Sequence, residues 1–361
     1  MCWATPTDVT ALSDMYIART KETLTEAGLK GSSAKLLPAG AVLLTSRATI
    51  GYTAVAKVPI CTNQGFVNFI CGPDLVPEYL AYWLRSQKPL LQRLANGVTF
   101  KEISRGTVKK LEIELPSRTE QCRVVDLLSS ADGIVRMRRE AEAKAKEIIP
   151  ALFLDMFGGE SSNPVVKVDD CLASKKGGIR TGPFGSQLLH SEFTSEGIAV
   201  LGIDNAVNNR FEWSVRRFIS PEKYEQLTRY TVRPGDVLIT IMGTCGRCAI
   251  VPEGIPVTIN TKHLCALTLA RDSCLPEYLQ GAFLFDPAVR RQLAAATKGA
   301  IMAGLNMQII RNLRVQLPSI DRQASYRAAA LQYDEMRRVA ETAMHTAGHV
   351  FQSLLAGVFG E

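Results

Sequence analysis

GAVLLTSRATIG at residues 40–51 and GDVLITIMGTCG at residues 235–246 are two versions of one phrase, displaced by 195 positions. Each runs from a glycine through aliphatic residues to a threonine, then into a small polar turn closed by a second glycine. β-Branched runs with glycine punctuation predict short strands joined by tight turns. Such a phrase used twice in one chain predicts a duplicated module.

The repeat extends downstream in constant order. Asn63 in CTNQG falls against Asn260 in INTKH at an offset of 197. Pro77-Glu78-Tyr79-Leu80 recurs as Pro276-Glu277-Tyr278-Leu279, Leu115-Pro116-Ser117 as Leu317-Pro318-Ser319, and Phe157-Gly158 as Phe359-Gly360. Both PEYL stretches open with proline and carry apolar residues at helical spacing, so each module combines a β-rich part with a helix. The fold class expected is therefore mixed α/β (α+β), with an internal pseudo-repeat.

Leu115 to Gly158 and Leu317 to Gly360 are both 43 residues, so this part of the repeat has no net insertion. Val124, Leu128, Ala131, Val135, Ala145, Ile149, Leu152 and Met156 recur in helical steps. Ala328, Leu331, Val339, Ala343, Ala347, Val350, Leu354 and Leu355 leave a second apolar side. Each run predicts a long coiled-coil-like helix of about 40 residues and roughly 60 Å, the two packing antiparallel as a spacer. Pro150 is expected to kink the first. The domains expected are 1–116, a helix over 117–158, a linker at 159–164, a second domain over 165–318 and a helix over 319–360. GESSNPVV, residues 159–166, supplies the boundary through its Gly, Ser, Asn and Pro.

The 361 residues are 46% hydrophobic and 21% charged, a globular composition with material for more than one core. No run of 18 apolar residues occurs, and MCWATPTDVT lacks the basic and apolar regions of a secretion leader, so a cytoplasmic protein is expected. Nine scattered cysteines suit reduced, buried thiols. A net charge of +7 favours a polyanionic partner.

Leu36-Pro38-Gly40 followed by TSRATIG and TNQGF, the RPGDVLI and GPFGSQL stretches, both Leu-Pro-Ser helix starts and both Phe-Gly helix ends together resemble the specificity (S) subunits of type I restriction-modification systems. The resemblance covers nearly the whole chain. It implies two target recognition domains, each reading half of a bipartite site on double-stranded DNA, with the long helices fixing the unread spacer. It further implies modification methyltransferase subunits docked along the helices, with motor-nuclease restriction subunits joining them. Chemistry would sit in those partners, which would hold S-adenosylmethionine, ATP and Mg, and no catalytic, cofactor or metal residue is expected here.

One departure is visible. Asp8 in TPTDVT is set against Asp204 in GIDNAV at an offset of 196, so residues 165–197, which contain GIRTGPFGSQL, have no counterpart in the first copy. An upstream gene start or a truncated allele with a shortened first domain is expected.

Stretches that could carry chemistry have simpler explanations. Cys245 and Cys248 form a CxxC, but Cys265 and Cys274 do not supply the second pair of a zinc site, and the first copy has no cysteine there. His345 and His349 lack the glutamate of HExxH and a third ligand. Gly177–Ser186 lacks the GKS/T ending of a phosphate loop, and Asn163-Pro164-Val165 lacks the second proline and aromatic of an amino-methyltransferase motif. Base edges are read by Arg, Lys, Asn, Gln, Ser and Thr. The DNA-binding candidates are therefore polar residues in the repeated loops: Arg47, Asn63, Gln64, Thr99 and Lys101 in the first copy, and Arg180, Ser186, Gln187, Lys262, Lys298 and Asn306 in the second. The rival readings are a helical scaffold that binds only protein and a self-contained methyltransferase or nuclease.

Overall fold

The computed structural model describes residues 1–97, 101–159, 163–214, 216–297 and 304–360. It divides into two compact units, one of Met1–Ala143 with Arg338–Glu361 and one of Lys144–Arg337. The expected mixed α/β class, with two β-rich parts and long helices, is what the chain adopts.

The first unit contains strands β1 (Cys2–Ala4), β2 (Tyr16–Ile17), β3 (Glu22–Thr23), β4 (Val42–Thr45), β5 (Thr53–Ala56), β6 (Ile60–Thr62) and β7 (Phe66–Phe69). They form two sheets, ordered β3-β1-β6 and β2-β5-β4-β7. The second unit contains β8 (Val165–Lys167), β9 (Ile179–Thr181), β10 (Ile198–Leu201), β11 (Phe218–Ile219), β12 (Val237–Thr240), β13 (Cys248–Ile250), β14 (Thr258–Asn260), β15 (Leu264–Leu267) and β16 (Arg314–Gln316). Its sheets run β11-β10-β14, β13-β12-β15-β9 and β16-β8.

The repeated phrase is the central strand of each unit. VLLT in β4 and VLIT in β12 are buried at all four positions. Val42 and Leu44 face one apolar cluster while Leu43 faces another; Val237 and Ile239 likewise oppose Leu238. A sheet covered on both faces calls for a continuous apolar run rather than alternation. Registers agree as well: Val42 lies opposite Val55 and Phe69, as Val237 lies opposite Ile250 and Leu267.

The turn after each central strand is held by its last threonine. The Thr45 hydroxyl donates to Thr49 O and accepts from Tyr52 N, while that of Thr240 donates to Thr244 O and accepts from Arg247 N. Ala48 sits at φ 57°, where the second copy places Gly243 at φ 73°. An L-residue there is strained by about 1–2 kcal/mol, partly offset by the greater freedom glycine loses on folding. Ala48→Gly should therefore stabilise the first unit by up to about 1 kcal/mol, read as a higher urea midpoint in the fluorescence of Trp3 and Trp83.

Helices Pro77–Ser86 and Pro276–Phe285 begin with proline at a position that needs no donor, with an acidic residue in the first turn. Each long helix docks beside them through one buried glutamine. Gln121 accepts from Val76 N (2.8 Å) and donates to Asp74 O (2.8 Å) and Pro116 O (2.9 Å). Gln323 accepts from Leu275 N (2.9 Å) and donates to Ser273 O (2.9 Å) and Pro318 O (2.8 Å).

In the first unit, Tyr82 and Arg85 meet Ser129 and Asp132 of helix Arg118–Ala145, so these helices run the same way. The end of helix Ile320–Phe359 runs oppositely, with Phe359 on Tyr79 and Phe351 on Tyr82. In the second unit, helix Ile148–Phe157 takes that opposing place, with Phe157 on Tyr278 and Phe153 on Phe285. Within each unit the expected antiparallel packing of long helices is present.

Several expectations change. The boundary near 160 moves to 143/144, because Phe153 and Phe157 are buried in the second unit's core. Val165, where the second domain was expected to begin, opens β8, with Val165 and Val166 paired with Gln316 and Val315. The first long helix breaks after Ala145 and restarts at Ile148, because Pro150 cannot donate to residue 146 and its ring crowds that carbonyl. Asn63 is matched by Thr261 rather than Asn260: their backbone N–H groups donate to Ala4 O and Leu201 O, the same place in two sheets. Asp8 is matched by Asn205 rather than Asp204, since Asp8 Oδ2 accepts from Thr5 N where Asn205 Oδ1 accepts from Gly202 N, both at 2.8 Å. Identical letters misled by one position where strand register decides. β8 and β9 have no counterpart among the described residues of the first unit. Ile70, at the place of Thr268 beside β9, is 67% exposed.

Candidate nucleic-acid interface

In each unit the loops leaving one end of the central sheet meet on a common backbone frame. In the first, Ser46 N donates to Gly65 O (2.8 Å) and Ile103 N to Ser46 O (3.0 Å), with Arg47 bridged across to Glu102. In the second, Ile241 N donates to His263 O (2.9 Å) and Leu305 N to Ile241 O (2.9 Å), with Met242 bridged to Gly304. Three stretches from distant parts of the sequence thus form one rim, twice.

The first rim gathers Arg47, Asn63, Gln64 and Lys101. Gln64 and Lys101 are exposed, and Arg47 Nε lies 2.9 Å from Glu102 Oε1. Asn63 is half-buried, and its Oδ1 accepts from Gly65 N (2.9 Å), shaping the turn that presents Gln64.

The second rim gathers Lys262 and Asn306, and brings Ser186 and Gln187 to the same end from β9. Gly182 makes that approach possible, because a Cβ there would stand 2.0 Å from Asn260 O. Ser186, Gln187 and Lys262 are exposed. Gln187 Oε1 accepts from Phe184 N (3.1 Å) and from the hydroxyl of Tyr230 (2.8 Å), which Arg229 also contacts. Asn306 caps helix Met307–Asn312, its Oδ1 accepting from Ile309 N, so only its amide is left to reach outward. Burial, reinforced by the charge of Lys262, lowers the pKa of His263, leaving Lys262 the cation of this loop at neutral pH. Thr99 and Lys298 lie outside the described residues.

Arg180, expected among the DNA-reading residues, does not reach the rim. It lies in β9 rather than a loop, is 9% exposed, and spends its donors inside the unit on Asp236, Thr231 O (2.8 Å), Thr268 Oγ1 (2.8 Å) and Gly177 O (3.5 Å). Burial lowers its pKa, opposed by Asp236. Its role is structural.

Two groups escaped the sequence reading. Glu102 is acidic and so was not sought on a polyanion-facing surface. Trp213, with Arg216 over its ring (5.7 Å to the centroid) and Phe211 at its edge (5.2 Å), follows a loop whose Ile203 lies beside Gly243 of the rim. The interleaved aromatics and arginines of RFEWSVRR were its available signal.

The remaining motifs settle into the framework. Cys248 is fully buried, which pushes its thiol pKa up, and Cys245 Sγ contacts Ile241 O (3.2 Å). His345 and His349 face each other with Nε2 atoms 3.2 Å apart on an exposed helix face. Among the described residues no group of three or more His, Cys, Asp or Glu side chains could hold a metal ion.

Residues 8–146, spanning most of the first unit, match the family model of the type I restriction modification DNA specificity domain. Curated relatives agree. The MjaIX specificity subunit of Methanocaldococcus jannaschii is 38% identical over 157 residues, 43% of this chain and 35% of that protein. The EcoBI specificity subunit of Escherichia coli is 27% identical over 168 residues, 45% of this chain and 35% of that protein. The fold is shared with a solved type I R-M system chain (TM-score 0.59, 18% identity, 90% of this chain and 83% of that one). It is also shared with the S subunit from M. genitalium (TM-score 0.56, 16% identity, 91% and 85%). Residues 8–146 thus resemble the type I restriction modification DNA specificity domain, and stretches of the chain are similar to type I specificity subunits. The matched stretches span about a third of the length of these two curated relatives. Between the two copies in this chain the backbone contacts of the rim repeat, while the polar groups they carry do not. No described helix is long and apolar enough to cross a membrane.

Proposed function

We propose that the chain is a sequence-reading subunit of a type I restriction-modification complex, each rim reading one half of a bipartite site on double-stranded DNA. The observation that carries this reading is the duplicated rim: one hydrogen-bonded frame, presenting Arg47, Gln64 and Lys101 in one unit and Lys262 and Asn306 in the other, where Ser186 and Gln187 join it from β9. A common frame fixes how each unit docks, and different side chains give each half its own word. The positive net charge suits a phosphate backbone.

On this reading the long helices fix the distance between half-sites and offer surfaces to modification methyltransferase subunits, with restriction subunits joining the assembly. S-adenosylmethionine, ATP and Mg act on those partners, and this chain directs their chemistry without performing it. Placement of the complex in the cytoplasm, where DNA is met, follows from the same reading.

Exchange of residues 165–316 for the corresponding stretch of another family member should change one half of the methylated site and leave the other half and the spacing intact. Methylation of a randomised DNA library by the assembled complex reads this; a change in both halves, or in neither, rejects modular reading. Lys262→Ala should weaken all sites alike and reduce the salt slope by about 0.9. Turnover of DNA by the purified chain alone, with S-adenosylmethionine and Mg, would support the self-contained enzyme instead.

A further inference from the structure

The isolated backbone bridge that closes each rim carries different residues in the two units: Arg47 opposite Glu102 in the first, Met242 opposite Gly304 in the second. The frame around it is the same, because the residue before (Ser46 or Ile241) accepts from the residue after (Ile103 or Leu305) in both. The bridge therefore holds two positions opposite each other at a fixed place on the rim while leaving the residues there open.

We infer that Glu102 positions Arg47 to read a base, and that this bridge pair is a specificity-determining position of the first unit. This deepens the DNA-reading function proposed above and rests on it. A carboxylate on a surface that meets phosphates repels them, so Glu102 opposes affinity unless it serves selection. Its Oε1 lies 2.9 Å from Nε of Arg47, an ion pair that keeps the guanidinium beside the bridge and leaves Nη1 and Nη2 to donate. An arginine held this way presents a planar fork, suited to the O6 and N7 acceptors of guanine in the major groove. The two side chains are 46% and 43% exposed, so the pair contributes little to folding. Met242 and Gly304 have no such charge pair: Met242 packs against the core of its unit and Gly304 carries no side chain, so the second unit offers no arginine fork at this point.

The test uses the full chain assembled with its methyltransferase subunits, and relative affinity for all four base pairs at each position of a randomised DNA library. The wild type should prefer a G·C pair at one position of one half-site by about tenfold or more. Arg47→Ala and Glu102→Ala should both abolish that preference and leave other positions unchanged. Glu102→Ala should also raise retention of non-specific DNA, because a negative charge is removed, whereas Arg47→Ala lowers it. Glu102→Gln, which keeps the acceptor, should retain the preference. A merely structural glutamate would not divide selection from affinity in this way. The inference is overturned if Glu102→Ala leaves the preference intact, if Glu102→Gln loses it equally, or if the affected positions of the two variants differ. A wild type that selects no sequence at all rejects the DNA-reading function itself. A wild type that selects while these variants change nothing rejects the bridge pair alone.

Discussion

Replacing Arg180 with methionine should destabilise the second unit by about 3–5 kcal/mol, because it strands a buried carboxylate. Asp236 is 1% exposed and is held by Arg180, by Thr268 Oγ1 at 2.5 Å and by Arg233 N at 2.7 Å. Methionine fills the volume but supplies neither charge nor donors. The double variant Arg180→Met/Asp236→Leu should recover most of the loss, since an apolar replacement of both partners removes the unpaired charge. The chain contains its own precedent: in the first unit the places of Asp236 and Thr268 are taken by Ala41 and Ile70, and the three corresponding strands pair in the same register. Urea unfolding followed through Trp213, with Trp3 and Trp83 replaced by phenylalanine, confines the measurement to the second unit. A loss below about 1 kcal/mol for the single variant, or a double variant no better than the single, would contradict this account.

Gln323→Met should cost the second unit about 3–5 kcal/mol, and Gln121→Met a similar amount in the first. Each glutamine is fully buried and satisfies one buried backbone N–H and two carbonyls at the edge of the core. An unsatisfied buried group costs about 1–3 kcal/mol, and three are exposed to that cost at once, with relaxation recovering part. Hydrogen exchange should show the loss first at the turns before Pro77 and Pro276, where Val76 N and Leu275 N lose their acceptors. Equal exchange at both turns in a single variant would mean that the two docking points are not independent.

The duplicated core was legible because an aliphatic run buried on both sheet faces leaves a plain mark in the sequence. The helix starts were legible because proline punctuates them. What escaped was set by partners distant in sequence. Arg180 looks like a DNA-binding arginine until Asp236, 56 residues away, is brought against it. Gln121 and Gln323 each stand five residues after the proline of Leu-Pro-Ser, a regularity with no meaning until the loops before Pro77 and Pro276 fold back onto them. Asn63 and Asp8 were each displaced by one position because matching letters carry no information about strand register. Glu102 was missed for a chemical reason, since its sign is wrong for phosphate and its use depends on Arg47.

The first unit is assembled from both ends of the polypeptide, the second from one uninterrupted stretch. During synthesis the stretch Lys144–Arg337 can close its core as soon as it has left the ribosome, whereas the earlier-made strands β1 to β7 must wait for Phe351, Leu355 and Phe359 to be translated. Contacts of such long sequence separation form slowly and leave apolar surface open in the interval. A premature stop codon near the 3′ end of the reading frame would thus spare the unit nearest to it and cripple the one translated first.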